Sequence, residues 1–182
     1  MTLPPGIGIA WRAVPPRASR RDTSRALLAE LLPGARFVSR CPLCGGDHGR
    51  IRVEGADAEV SVSYLPGWAV VVVTGGYGRI GVDAVPADAA GLERVLPGET
   101  DARDWARAEA VLKADGRGLA VDPARVVVEE SADGWRAWIV EHPDARHSTT
   151  GWRGWDLDGP DGVVAALAVD ARAEAHRRAR TS

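Results

Sequence analysis

The sequence predicts an α+β protein with two pseudo-symmetric lobes, each a helix packed on a three-stranded, mainly antiparallel sheet. Three observations predict this. A helical pattern precedes three closely spaced strand patterns in residues 1–87, and the same order returns in residues 88–182. Gly67 and Gly75-Gly76 supply short turns, which make the strands they join antiparallel hairpins. A chain of 182 residues, 45% hydrophobic and 26% charged, has the length and balance of one globular unit or two small lobes sharing a core.

Residues 1–17 are Pro-rich, and the alternation of Ile7, Ile9 and Trp11 allows a short strand. From Ser19 to Leu32, Ala26, Leu27, Leu28, Leu31 and Leu32 recur at helical spacing, and Pro33-Gly34 ends the helix. Residues 40–50 read as a turn-rich loop. Strands are expected at 59–64, where Val60, Val62 and Tyr64 alternate with polar residues, at the apolar run 68–74, and at 79–85. Residues 88–96 read as a short helix. A stronger one spans 101–114, with Asp101 or Thr100 as N-cap, Asp104 in the first turn, and Gly116 and Gly118 past the end. Strands return at 125–130, 134–141 and 163–169, and the Trp-rich stretch 142–162 between them reads as loop. The tail from about 171 begins as helix and frays. Trp135 and Trp138 have opposite phase on one strand, so one of them should leave the core.

A net charge of −2 argues against generic nucleic-acid binding. No apolar run approaches the roughly 20 residues a bilayer requires, and no basic n-region precedes an apolar core at the start. Two cysteines do not make a disulfide framework. The cytoplasm is therefore the default expectation, and a monomer is expected because two fused lobes already create a cleft.

Only one of the 23 basic residues is a lysine, Lys113, and Asn and Gln are absent, a bias that fits a GC-rich bacterial coding sequence. A lysine retained under that bias suggests a position that arginine would not serve. Its ammonium is compact and can neutralise a phosphate oxygen or give up a proton. Glu109 lies four residues earlier, on the same helix face. Asp83 ends the strand pattern Arg79-Ile-Gly-Val-Asp83. One Asp and one Glu from separate elements are a common way to hold Mg²⁺, which keeps several waters and binds phosphate oxygens. The plainer reading is a surface Glu–Lys pair contributing a few tenths of a kcal/mol.

Gly81-Val-Asp83, followed by Trp105-x-x-x-Glu109-Ala110-x-x-Lys113-Ala-x-Gly116-x-Gly118-Leu119, resembles the two signature motifs of the 4′-phosphopantetheinyl transferases, in their two-lobed, Sfp-like class. The loop Cys41-Pro-Leu-Cys44-Gly-Gly-Asp-His48-Gly49-Arg50 is similar to a loop of many bacterial members. Val60-Ser-Val-Ser63 before Gly67-Trp68, and Gly162-Val-Val-Ala-Ala-Leu-Ala-Val169, resemble two of their strands. The resemblance runs from about Arg20 to Val169 in family order.

It implies transfer of phosphopantetheine from coenzyme A to a serine of an apo acyl or peptidyl carrier protein, releasing adenosine 3′,5′-bisphosphate. Asp83 and Glu109 would hold Mg²⁺, with Mn²⁺ as a substitute. Glu109 would accept the serine proton and Lys113 would stabilise or protonate the leaving phosphate. The resemblance puts Arg20, Arg21, Gly49, Arg50, Ser63 and Tyr64 on the coenzyme A side. Read from the residues alone, Arg20 and Arg21 fit an anion site at a helix start or a solvated basic face equally well.

The chain departs from the family at three positions. Val85 replaces a carboxylate, Ala108 a lysine and Tyr64 a histidine. These changes keep a second reading open, a catalytically weakened module that binds coenzyme A or a carrier on the same fold. Cys41, Cys44 and His48 offer three zinc ligands and Asp47 a fourth, but the second well-spaced pair of a closed zinc knuckle is missing. The loop therefore reads first as a tight Gly-rich turn with reduced thiols, with structural zinc at Cys41, Cys44 and His48, as in a small zinc-knuckle adaptor, the less favoured alternative.

Overall fold

The computed structural model describes residues 3–41, 44–92, 101–140 and 151–175. It is an α+β arrangement of antiparallel sheets in four layers. Helix α1 (Arg20–Leu31) covers the outer face of a sheet ordered β1-β5-β4, formed by β1 (Ile7–Ala13), β4 (Glu59–Leu65) and β5 (Trp68–Thr74). The inner face of that sheet packs on a second, five-stranded sheet. Its order is β6-β10-β9-β8-β7, from β6 (Ile80–Pro86), β7 (Val126–Ser131), β8 (Gly134–Ile139), β9 (Gly151–Leu157) and β10 (Val163–Asp170). Helix α2 (Ala102–Asp115) covers the far side of this second sheet. A small ribbon of β2 (Arg36–Val38) and β3 (Arg52–Glu54) brackets the cysteine loop.

Three apolar layers follow from strand periodicity. Leu27 and Leu28 of α1 meet Val60, Val71 and Val73. Val70 and Val72, from the opposite face of β5, meet Ile80, Val82, Trp155 and Leu167 between the sheets. Ala106, Ala110 and Val111 of α2 meet Trp135, Trp152, Ala166 and Ala168. Both faces of the central strands are covered, so β5 and β10 are apolar almost throughout.

The helices follow their caps. Ser19 receives the Asp22 amide at the start of α1. Asp101 caps α2 in a reciprocal box with Asp104, and Gly116 closes it at φ 91°; a cap of this kind contributes about 1 kcal/mol.

Several expectations are corrected. The second sheet has five strands rather than three, because 151–157, read as loop, is β9. Trp152 and Trp155 are accordingly core residues, each 1% exposed. Strand β6, expected to continue the hairpins of β4 and β5, pairs instead with β10 and forms the edge of the second sheet. The segment 7–13 is a full strand along β5. Residues 88–91 are turn and irregular backbone; the rest of the helix expected to 96 lies largely outside the described residues, as do His142, His147 and His176. Trp135 is buried and Trp138 half-buried, as their phases require. The tail begins helical at 171–175.

An ion pair fastens α2 to its sheet. The buried Arg107 guanidinium donates to both oxygens of Asp156 on β9, each at 2.8 Å, and to Glu130 on β7 at 2.6 Å. Burial pushes its pKa down, but the bonds and charges of Asp156 and Glu130 more than offset this. Asp156→Ala would leave a buried cation with an exposed glutamate and the face of the Trp135 ring, 5.8 Å away, in place of its bidentate partner. The expected destabilisation is about 3 kcal/mol by chemical denaturation; a change within error of zero would show that the clamp is incidental.

Candidate functional site

The site begins with a glycine. A Cβ at Gly81 would lie 2.0 Å from the Ala110 carbonyl oxygen and 2.5 Å from the Ala114 nitrogen. The bare backbone of β6 therefore rests directly on α2, and the next residue on that face, Asp83, is delivered to the helix turn carrying Glu109 and Lys113. Gly81-Val-Asp83 thus has a steric reason: the glycine sets the approach and the aspartate uses it.

The other side is a seam between the sheets. Strand β6 turns its free edge to the free edge of β4, and serine side chains from β4 replace a strand ladder there. Ser61 Oγ accepts from the Val82 amide at 3.0 Å and Ser63 Oγ from the Ala84 amide at 3.3 Å. Ser63 also donates to Asp83 Oδ1 at 2.8 Å. Lys113 reaches into the same seam. Its Nζ lies 2.6 Å from Asp83 Oδ1, 3.1 Å from the Val82 carbonyl, 3.2 Å from Ser63 Oγ and 3.5 Å from the Val62 carbonyl. Three ammonium protons meet four acceptors from two strands, a task for a compact point charge rather than a planar fork.

Glu109 stands one turn before Lys113 on α2. Its Oε1 is buried with no hydrogen-bond partner among the described residues. Burial, then the Asp83 charge, push its carboxyl above the usual carboxylate range, and Lys113 pulls it partly back. An orphaned buried carboxylate oxygen beside a second carboxylate fits a cation, and hard oxygen donors suit Mg²⁺ or Mn²⁺. The bonds from Ser63 and Lys113 both fall on Asp83 Oδ1, so Oδ2 lies outside that set. Val85, next on this face, packs with the apolar residues under α2 and supplies no third carboxylate.

The remaining predicted residues divide into two groups. Arg50 donates to the Lys113 and Ala114 carbonyls at 3.3 and 3.1 Å, to the Ile80 carbonyl at 3.4 Å and to Glu59 at 3.2 Å. It caps the negative end of α2. With Gly49, Val62, Leu112 and Lys113 it also lines a cavity of about 400 Å³. Arg20 lies 5.1 Å over the Tyr64 ring, and the Tyr64 hydroxyl bonds Ser24 Oγ at 2.7 Å. Arg21 and Arg25 both donate to Ser39 Oγ, which donates to Asp47 at 2.6 Å. Arg25 Nη1 is buried with no hydrogen-bond partner among the described residues.

The structure thus brings Asp83, Glu109, Lys113 and Ser63 together. Arg20, Arg21 and Tyr64 form a separate group at the start of α1, and Ser63 faces the carboxylate seam rather than that group. Sequence reasoning passed over Ser61 and assigned Ser63 to the cofactor; two serines at alternate positions of one strand were the available signal. No known family model matches the chain, and neither does any curated protein.

If this cluster is catalytic, Lys113→Arg lowers turnover roughly 100-fold with little change in fold, because one charge-stabilising contact of this kind contributes about 10²–10³. Circular dichroism and steady-state rates together check it; an unimpaired arginine variant would make the lone lysine incidental.

Proposed function

We propose that the chain is a divalent-metal-dependent transferase of the 4′-phosphopantetheinyl type. It would move phosphopantetheine from coenzyme A to a serine hydroxyl of an apo carrier protein. The observation that carries this reading is the orphaned, buried Glu109 oxygen beside Asp83, with the only lysine fixed on Asp83. A cation bound by Asp83 and Glu109 would neutralise pyrophosphate oxygens as the phosphorus–oxygen bond breaks. Glu109, its proton affinity raised by burial, is suited to take the carrier serine proton. Lys113 adds a fixed positive charge where the leaving phosphate gathers negative charge. The arginines at the start of α1 suit a nucleotide phosphate: Arg25 has a buried donor to spare, and its pKa is lowered by burial and then by Arg21, a strain an anion would relieve. The two helix-covered sheets are compatible with the two-lobed fold of that family.

The second reading is a module that binds coenzyme A or a carrier without transfer. Val85 favours it, since this position adds apolar packing and no ligand. Intact mass of an apo carrier, incubated with the protein, coenzyme A and Mg²⁺, separates the two. Transfer predicts a gain of one phosphopantetheine that chelation with EDTA abolishes. Coenzyme A binding without a mass gain supports the module, and a gain indifferent to chelation contradicts the metal role.

A further inference from the structure

We propose that the loop between β2 and β3 is a second metal site, a zinc centre of Cys41, Cys44 and His48 with a fourth position open to solvent. The ligand atoms of these three residues all lie within 4.8 Å of one another. Cys44 Sγ and His48 Nε2 are 2.9 Å apart. Neither cysteine forms a disulfide.

The backbone is folded to produce this convergence. The Cys41 amide donates to the Gly46 carbonyl at 2.7 Å, and the Gly45 amide returns a bond to the Cys41 carbonyl at 2.9 Å. The Gly46 amide donates to Cys44 Sγ at 3.4 Å. The Gly49 amide then donates to the Ser39 carbonyl at 2.6 Å, closing the loop at its base. A Cβ at Gly49 would lie 2.6 Å from the Arg40 carbonyl oxygen, so only glycine permits the chain to double back and carry His48 over the sulfurs. The product is a cup of two sulfurs and an imidazole nitrogen.

The donor set selects the ion. Two thiolates and one imidazole suit a borderline-soft divalent cation without geometric preference, which is Zn²⁺ rather than Mg²⁺. Binding releases the two thiol protons to solvent, and two thiolates balance the dication. Asp47 is not the fourth ligand, because it is turned away onto Ser39 and Arg21. With Cys44 and His48 exposed, that position opens outward and takes water. The missing second Cys/His pair excludes a closed four-ligand knuckle, not a three-ligand centre. His48, Gly49 and Arg50 also form a wall of the cavity that contains Lys113, so the ion would hold that wall in place. The site does not depend on the transferase reading.

The test uses the untagged, reduced, metal-free full chain titrated with Co²⁺. The expected result is thiolate-to-cobalt charge-transfer absorption with tetrahedral visible bands, saturating at about one equivalent and displaced by Zn²⁺. Cys44→Ser and His48→Ala, both at exposed positions, should keep the far-ultraviolet circular dichroism of the parent. Each should bind about 100-fold more weakly or worse, since loss of even an outer-shell partner costs about 10–100-fold. The charge-transfer band should fall by roughly half in Cys44→Ser, where one of two thiolates remains, and persist in His48→Ala at high Co²⁺. Absence of the band in the parent at saturating Co²⁺ overturns the proposal. So does parental affinity in either folded variant, which would put the ligands elsewhere.

Discussion

Glu109→Gln is expected to lower carrier modification by on the order of 10³-fold while raising the thermal midpoint of the metal-free protein at neutral pH. The first effect follows from losing a charged ligand and proton acceptor at constant volume. The second follows from linkage. Folding raises the Glu109 pKa, through burial first and the Asp83 charge second. The folded state therefore holds this proton more tightly than the unfolded chain. Stability falls as pH climbs from the ordinary carboxylate pKa to the raised one, and stays lower above it. Glutamine has no charge to bury and escapes that loss. Melts of the metal-free proteins should converge below this window and separate above it, with the variant higher at about pH 8. Mg²⁺ should stabilise the parent and leave the variant unmoved. Parental turnover in the variant, or superimposable melts across the whole range, would falsify the role given to this carboxylate.

Gly81→Ala is expected to be among the most damaging single methyls at the described glycines. Its Cβ would sit 2.0 Å from a helix carbonyl, a contact that must be relieved by moving α2. Overpacking of this kind costs about 3 kcal/mol or more where backbone meets backbone. Displacement by about 1 Å carries Glu109 and Lys113 away from Asp83, and such a shift can cost about 100-fold in rate. Denaturant melts measure the first loss. The second is read on the fraction that remains folded in the cold, by carrier mass and by Mg²⁺-dependent stabilisation. An alanine variant that melts like the parent would mean that β6 does not bear on α2 as described.

Much of this site could be read without coordinates, for identifiable reasons. Helix α2 announces itself locally: Asp101 caps it, Asp104 completes the box and Gly116 ends it. Once the helix is known, Glu109 and Lys113 must share a face. Strands β4 and β5 were equally plain, because a half-buried strand alternates and a fully buried one is apolar throughout. Strand β9 was not, because Gly151, Arg153, Gly154 and Asp156 interrupt its pattern, and Trp152 and Trp155 serve opposite faces of a sheet covered on both sides. The three-residue strands β2 and β3 are too short to carry a period. The partner of β6 was hidden for a different reason: Gly75 and Gly76 suggest a hairpin, yet β10, some eighty positions later, claims the strand. Long-range pairing overrode a local turn signal. The expected contact of Arg50 with a nucleotide was read from a motif; its several carbonyl bonds to α2 and β6 depend on tertiary geometry no motif encodes.

Ser61 and Ser63 stand two residues apart and each meets an amide two residues apart on a strand of the other sheet. Grease alone would let the two layers slide past one another at little cost. The pair of hydroxyls works like a vernier, tolerating one alignment and rejecting its neighbours, since a slip of one position would present Val60 and Val62, or Val62 and Tyr64, in their place. The tool that sets the phase of the second sheet is thus also the tool that aims its acid.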